Sequence, residues 1–178
     1  MEFAGTNEAS PVFRRRFEGE AEIPGRPRKR KVKQAIRVQY GALPYRFNHD
    51  AALEILLVTT RQSRQWIIPK GWPIKGLRPA KSAAREAFEE AGVVGAKSIG
   101  LFTYKKMLDG NGVGVNCEVG VFPLLVKRQS ETWPEIEQRV VQWVAPDRAL
   151  SLIKDPGLKA LVAAFVKRMA VAASKSTP

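Results

Sequence analysis

The chain has 178 residues, 44% of them hydrophobic, which suffices for one domain with a core of its own, and no apolar run nears the roughly eighteen residues a membrane span needs. A formal net charge of +13 at pH 7 points to an anionic partner. One cysteine (Cys117) and one histidine (His49) exclude an internal disulfide and a Cys/His zinc cluster.

Residues 1–32 have scattered Pro and Gly, no sustained period and two basic clusters, Arg14 to Arg16 and Arg26 to Lys33. They read as a basic, mostly disordered arm that could touch RNA or another polyanion, or simply solubilise the chain. Met1 to Ser10 is polar and mixed, without a signal-peptide hydrophobic stretch, so a cytoplasmic location is expected. Residues 1–33 hold nine basic and five acidic side chains, which leaves +9 for the rest of the chain. The globular domain is expected over 33–172, followed by a short tail, 173–178.

Gln34 to Tyr45 is strand-rich, with Ala35, Ile36, Val38, Tyr40 and Leu43 as candidate buried positions, and Arg46 closes it. Leu53 to Thr60 is a continuous apolar run suited to a buried central strand. His49 falls in a polar turn. After the turn Arg61 to Gln65, a brief strand Trp66 to Ile68 delivers Pro69 to a loop.

Pro79, suited to the first turn of a helix, and Gly92, suited to the left-handed position past its end, bracket an alanine-rich segment that predicts a helix of about three turns. Lys97 to Met107 reads as a strand ending in Tyr104-Lys105-Lys106. A turn follows at Asp109 to Gly112, and Val113 to Val126 returns as its hairpin partner, with Cys117 as a small buried residue. Arg128 to Glu137 is a polar connection. Arg139 to Val144 forms a further strand with Trp143 inward. Pro146 opens a short helix and Pro156 a longer one to about Ala172, with Leu158, Leu161, Val162, Phe165, Val166 and Met169 as core or dimer surface. Monomer and homodimer both stay open. This order predicts a mixed sheet between helices, an α/β/α sandwich.

On the first helix Glu86, Glu89 and Glu90 stand at i, i+3 and i+4, so they share one face near the negative end of the helix dipole. The like-charged i, i+4 pair Glu86 and Glu90 costs roughly 0.2–0.5 kcal/mol. Arg85 can pair with Glu89, but one cation does not balance three anions. A divalent cation would, and carboxylates are ligands that Mg²⁺ accepts beside water and phosphate. A solvated acidic face is the plain alternative.

The loop and helix together resemble the Nudix signature, in which Gly71, Arg85, Glu86, Glu89, Glu90, Gly92 and Val93 all fall on their positions. Ala87 stands at the aliphatic site, and Leu77 replaces the first glutamate. The entry Trp66 to Pro73 is similar to that of the diphosphoinositol polyphosphate and diadenosine polyphosphate hydrolase branch. The likeness extends from about Gln34 to about Leu161. It implies the α/β/α fold with the signature as loop–helix–loop, and metal-dependent cleavage of a phosphoanhydride.

By the same resemblance, Glu86 and Glu90 are the expected Mg²⁺ ligands, with Mn²⁺ also possible, and Gly71 offers its carbonyl. Glu89 is the expected base, and Arg85 orients it. Leu77 cannot bind metal or pair with Arg85, so fewer metals, weaker metal binding or replacement by another acid is expected, with Glu118 and the pair Glu135 and Glu137 as candidates. Substrate phosphates should meet cations drawn from Arg46, Arg64, Lys70, Lys75, Arg78, Lys105, Lys106 and Arg139. Lys70 stands first and Arg139 second, with Arg46, Lys105 and Lys75 also expected to bind substrate. Trp72 could stack on a base, shield phosphates or pack on Pro73. The expected partner is a phosphorylated small molecule, with an RNA 5′-end pyrophosphohydrolase and a non-catalytic polyanion or RNA binder as the alternatives.

Overall fold

The computed structural model describes residues 36–96, 100–108 and 115–174. Its elements are β1 (Arg37–Phe47), β2 (Leu53–Thr59), β3 (Trp66–Ile67), β4 (Lys70–Gly71), α1 (Pro79–Ala91), β5 (Val93–Ala96), β6 (Phe102–Leu108), β7 (Val115–Gln129), β8 (Val141–Val144), α2 (Pro146–Leu152) and α3 (Pro156–Ser174). The strands make one mixed sheet: β1 and β7 run parallel and every other pairing is antiparallel.

The apolar run in β2 is continuous because the sheet is covered on both sides. Ile55 and Leu57 join Leu43, Tyr45, Val119 and Val121 in a core closed by α2 and α3. Leu56 and Val58 face the other way, onto Ala42 and the alanines Ala83, Ala87 and Ala91 of α1. Small side chains let α1 approach the sheet closely. The result is the expected α/β/α sandwich. The stripe on α3 is core: Leu158, Leu161, Val162 and Phe165 are buried, and Val166 and Met169 pack against them.

α1 starts at Pro79 and ends at Gly92, whose φ of 68° is left-handed and whose N–H caps Phe88. Several expectations need correction. Ile36 and Val38 are exposed, because the first strand turns inward only from Gln39 onward. Ala35, Lys97 and the turn Asp109 to Gly112 lie outside the described residues. The segment after the helix is two strands, since β5 precedes β6 and pairs the far end of β7. β7 also runs on to Gln129, three residues past Val126, to make that pairing. Among the described residues no helix is long and apolar enough to cross a membrane.

Candidate active site

β1 changes partner along its length. Tyr40 and Gly41 pair with β4, whereas Tyr45 to Phe47 pair with β2. A cavity of about 520 Å³ opens at this split, between β4, the loop after it, α1 and the segment leading into β8. α1 brings Glu86 and Glu90 to its wall, the 130–139 segment brings Glu135 and Arg139, and β4 brings Lys70 and Gly71.

Gly71 is required by packing: a Cβ there would fall inside the Glu86 carboxylate. Burial pushes the Glu86 carboxyl up, with Glu89 and Glu135 adding to it. Glu90 is buried and accepts from Arg139 Nη2 at 2.6 Å through Oε1, while its Oε2 has no hydrogen-bond partner. Burial raises the Glu90 carboxyl to about 7 in spite of the adjoining Arg139 and Lys70.

Arg139 is the hub. Only 6% of its side chain is exposed, and each of its three nitrogens donates: Nε to Glu135 Oε2 at 2.6 Å, Nη1 to the Thr59 carbonyl at 2.9 Å and Nη2 to Glu90. Glu135 also faces Arg61, 3.7 Å away. Its own loop stands on α1, for the Glu135 N–H donates to the Glu89 carbonyl and Ser130 N–H to that of Gly92. Trp133 packs over Gly92, where a Cβ would strike its ring.

Oxygen donors in a polar cavity, one of them buried without a partner, fit a hard divalent cation. Among the described residues no three His, Cys, Asp or Glu side chains close on one point. Water and substrate phosphate would complete the coordination of such an ion, as they commonly do at Mg²⁺ sites.

The NUDIX domain profile matches residues 35–165. The chain belongs to the Nudix family. It is 32% identical over 155 residues to Nudix hydrolase 21, chloroplastic, of Arabidopsis thaliana, covering 81% of this chain and 73% of that one. With Nudix hydrolase 4 of the same plant the identity is 28% over 151 residues, covering 80% and 71%. Solved structures share the fold at lower identity. A C. elegans Ap4A hydrolase superposes with a TM-score of 0.59 at 18% identity, covering 76% and 98%. The NUDIX domain of Shewanella oneidensis NrtR gives 0.61 at 18%, covering 76% and 89%. The chain is therefore a Nudix pyrophosphohydrolase acting on phosphoanhydride-type substrates, and such enzymes use divalent ions, typically Mg²⁺.

Of the residues expected at the Nudix site, Gly71, Lys70, Glu86, Glu90 and Arg139 line the cavity together. Glu89 stands beside it, held by Arg85 Nε at 2.5 Å. Lys70 is largely buried, and burial followed by Lys106 lowers its amine to about 8.

The structure does not bring Arg46 there. The β1–β2 register sets it opposite Glu54, which it meets at 2.7 Å, and its guanidinium lies over the Trp143 ring. Trp143 itself is only partly buried. Lys105 is also directed away: it pairs across β6–β7 with Glu118 and borders other hollows, and the next residue, Lys106, turns towards Lys70. Lys75 is exposed on the loop and does not line the cavity. Of the acids considered in place of Leu77, Glu135 reaches the cavity, whereas Glu118 and Glu137 do not. Gln39, Thr60 and Arg61 were not expected at the site and line it. Gln39, a polar residue at a buried position of β1 between Val38 and Tyr40, was the available signal.

Proposed function

We propose that this Nudix hydrolase cleaves a diphosphate linkage in a densely phosphorylated small molecule, with diphosphoinositol polyphosphates, diadenosine polyphosphates and inorganic polyphosphate as candidates. One observation carries the reading: Glu86, Glu90 and Glu135 share a single cavity with Lys70 and Arg61. The carboxylates suit a cation, and the lysine and arginine suit the phosphates that a cation alone does not neutralise.

Glu86 and Glu90 would hold Mg²⁺ or Mn²⁺, with the Gly71 carbonyl beside them. When bound, the ion withdraws charge from the phosphates and lowers the pKa of water. Arg139 fixes the Glu90 carboxylate through Oε1 and leaves Oε2 free. Glu89 is the proposed base, with Arg85 setting its orientation. Glu135 supplies the acidic side chain that Leu77 does not. Ap4A, for which the C. elegans neighbour is named, agrees with the diadenosine class, and the NrtR domain was solved in complex with ADP ribose, a diphosphate.

A panel of these substrates with Mg²⁺ or Mn²⁺ in ¹⁸O-water should release phosphate or nucleotide carrying the label. Absence of any product from the panel would overturn the reading. The alternatives, an RNA 5′-end pyrophosphohydrolase or a polyanion binder, lean on residues 1–32. Deleting that arm should leave small-molecule turnover intact and would abolish the activity of either alternative. A cytoplasmic location is part of the proposal, resting on sequence alone; the plant relatives carry chloroplastic and mitochondrial names. Fractionation checks it.

A further inference from the structure

Arg64, counted among the cations expected to meet phosphate, does not line the cavity. It sits exposed in the turn between β2 and β3 with a φ of 50°, a left-handed backbone that Asn or Gly holds with less strain. Ala51, the other non-glycine residue with positive φ among the described ones, lies in a turn closed by the Asn48 side chain. The turn at Arg64 is closed without the Arg64 side chain. Thr60 N–H donates to the Gln65 carbonyl, Gln65 N–H donates to Thr60 Oγ1, and the Thr60 and Ser63 hydroxyls meet at 2.8 Å. What Arg64 adds is reach: its Nη1 donates to the Gln138 carbonyl at 3.1 Å.

That carbonyl shares a planar peptide unit with the Arg139 N–H, so the bond fixes the plane from which the Arg139 side chain departs. The next peptide unit is held too, because Val140 N–H donates to Thr59 Oγ1 at 3.0 Å. Thr59 is buried, its own N–H donates to the Val140 carbonyl, and its carbonyl accepts from Arg139 Nη1. The main chain is thus gripped on both sides of the Arg139 Cα, by Thr59 inside the fold and by Arg64 at the surface. An exposed hydrogen bond adds only modestly to stability. A long side chain kept in a strained turn for such a bond serves placement better than it serves folding. Arg139 hung from a loose peptide would sample several positions, and small displacements near a reacting centre cost rate steeply.

We propose that Arg64 is a positioning residue for the hydrolysis: with Thr59 it clamps the main chain around Arg139, and through Arg139 it holds the Glu90 and Glu135 carboxylates in place. This rests on the hydrolase reading above, in which Glu90 belongs to the site.

The test uses the full chain on the substrate panel above with Mg²⁺, and follows the Arg139 Nε–H resonance in ¹H–¹⁵N spectra. Arg64→Asn keeps the left-handed turn and removes the reach. It should lower kcat about three- to tenfold while KM stays within roughly twofold of wild type, leave Tm unchanged or higher, and shift or broaden the Arg139 resonance. Arg64→Lys retains a long donor and should restore most of kcat. Thr59→Val removes the hydroxyl acceptor and should lower Tm and kcat together, whereas Thr59→Ser keeps it and should recover kcat. Gln62→Ala, exposed in the same turn, should change nothing. In an Arg139→Lys background, Arg64→Asn should lower kcat by less than about twofold more, since its action runs through Arg139.

A kcat for Arg64→Asn no lower than that of Gln62→Ala would overturn the positioning role. So would a loss of the same size in the Arg139→Lys background, or one that tracks a fall in Tm and is not recovered in Arg64→Lys. A wild type that cleaves nothing in the panel removes the hydrolase reading instead. The clamp is then decided by the Arg139 resonance alone, and a signal unmoved in Arg64→Asn ends it.

Discussion

Two arginines at opposite ends of β2 show how much environment decides. Both Arg139 and Arg46 were expected to grip phosphate, and both instead meet a glutamate. Arg139 is 6% exposed and spends its three nitrogens on Glu90, Glu135 and the Thr59 carbonyl. Arg46 is 41% exposed, makes one cross-strand pair with Glu54 and lies on Trp143. The same functional group sets the shape of the active site in one place and decorates a sheet surface in the other.

Substitutions at and around the two arginines would break or sharpen that contrast. Arg139→Ala strands the buried Glu90 carboxylate and removes a partner of the half-buried Glu135, and should cost roughly 3–5 kcal/mol of stability in denaturant titration. Arg139→Lys keeps the charge without the fork and should recover part of the stability but little of the turnover. Glu90→Gln should leave the protein folded by circular dichroism and lower kcat by a factor on the order of 10²–10³. Gly71→Ala should displace Glu86, cutting kcat about tenfold or more with a change in Tm of only a few degrees. Arg46→Ala should fall within about 1 kcal/mol of wild type and leave kcat/KM alone. An Arg46→Ala effect on KM as large as that of Lys70→Ala, in the cavity wall, would erase the distinction.

What the sequence made legible follows the same line. α1 could be placed because its punctuation is local: Pro79 opens it, Gly92 closes it, and alanines fill the interior. The glutamates needed only the helical period to share a face. β2 could be placed because both of its faces are apolar. Lys105 and Lys106 could not be told apart, since Thr103 to Met107 has no clean alternation and a slip of one residue exchanges the faces. The role of Arg139 was out of reach for a different reason. Its partners, Glu90 and Thr59, lie 49 and 80 residues away in sequence. Pairings of that separation are set by how β8 docks on β2, and no local pattern reports them.

The loop carrying Glu135 is hung from α1 by the Glu89 and Gly92 carbonyls and weighted down by Trp133. Acids from two distant stretches of chain are therefore joined through main-chain hydrogen bonds at the end of one helix, and the position of Glu135 depends on where that helix ends. A change at Gly92 or Trp133, neither of which lines the cavity, would then reach the carboxylates through that hinge point.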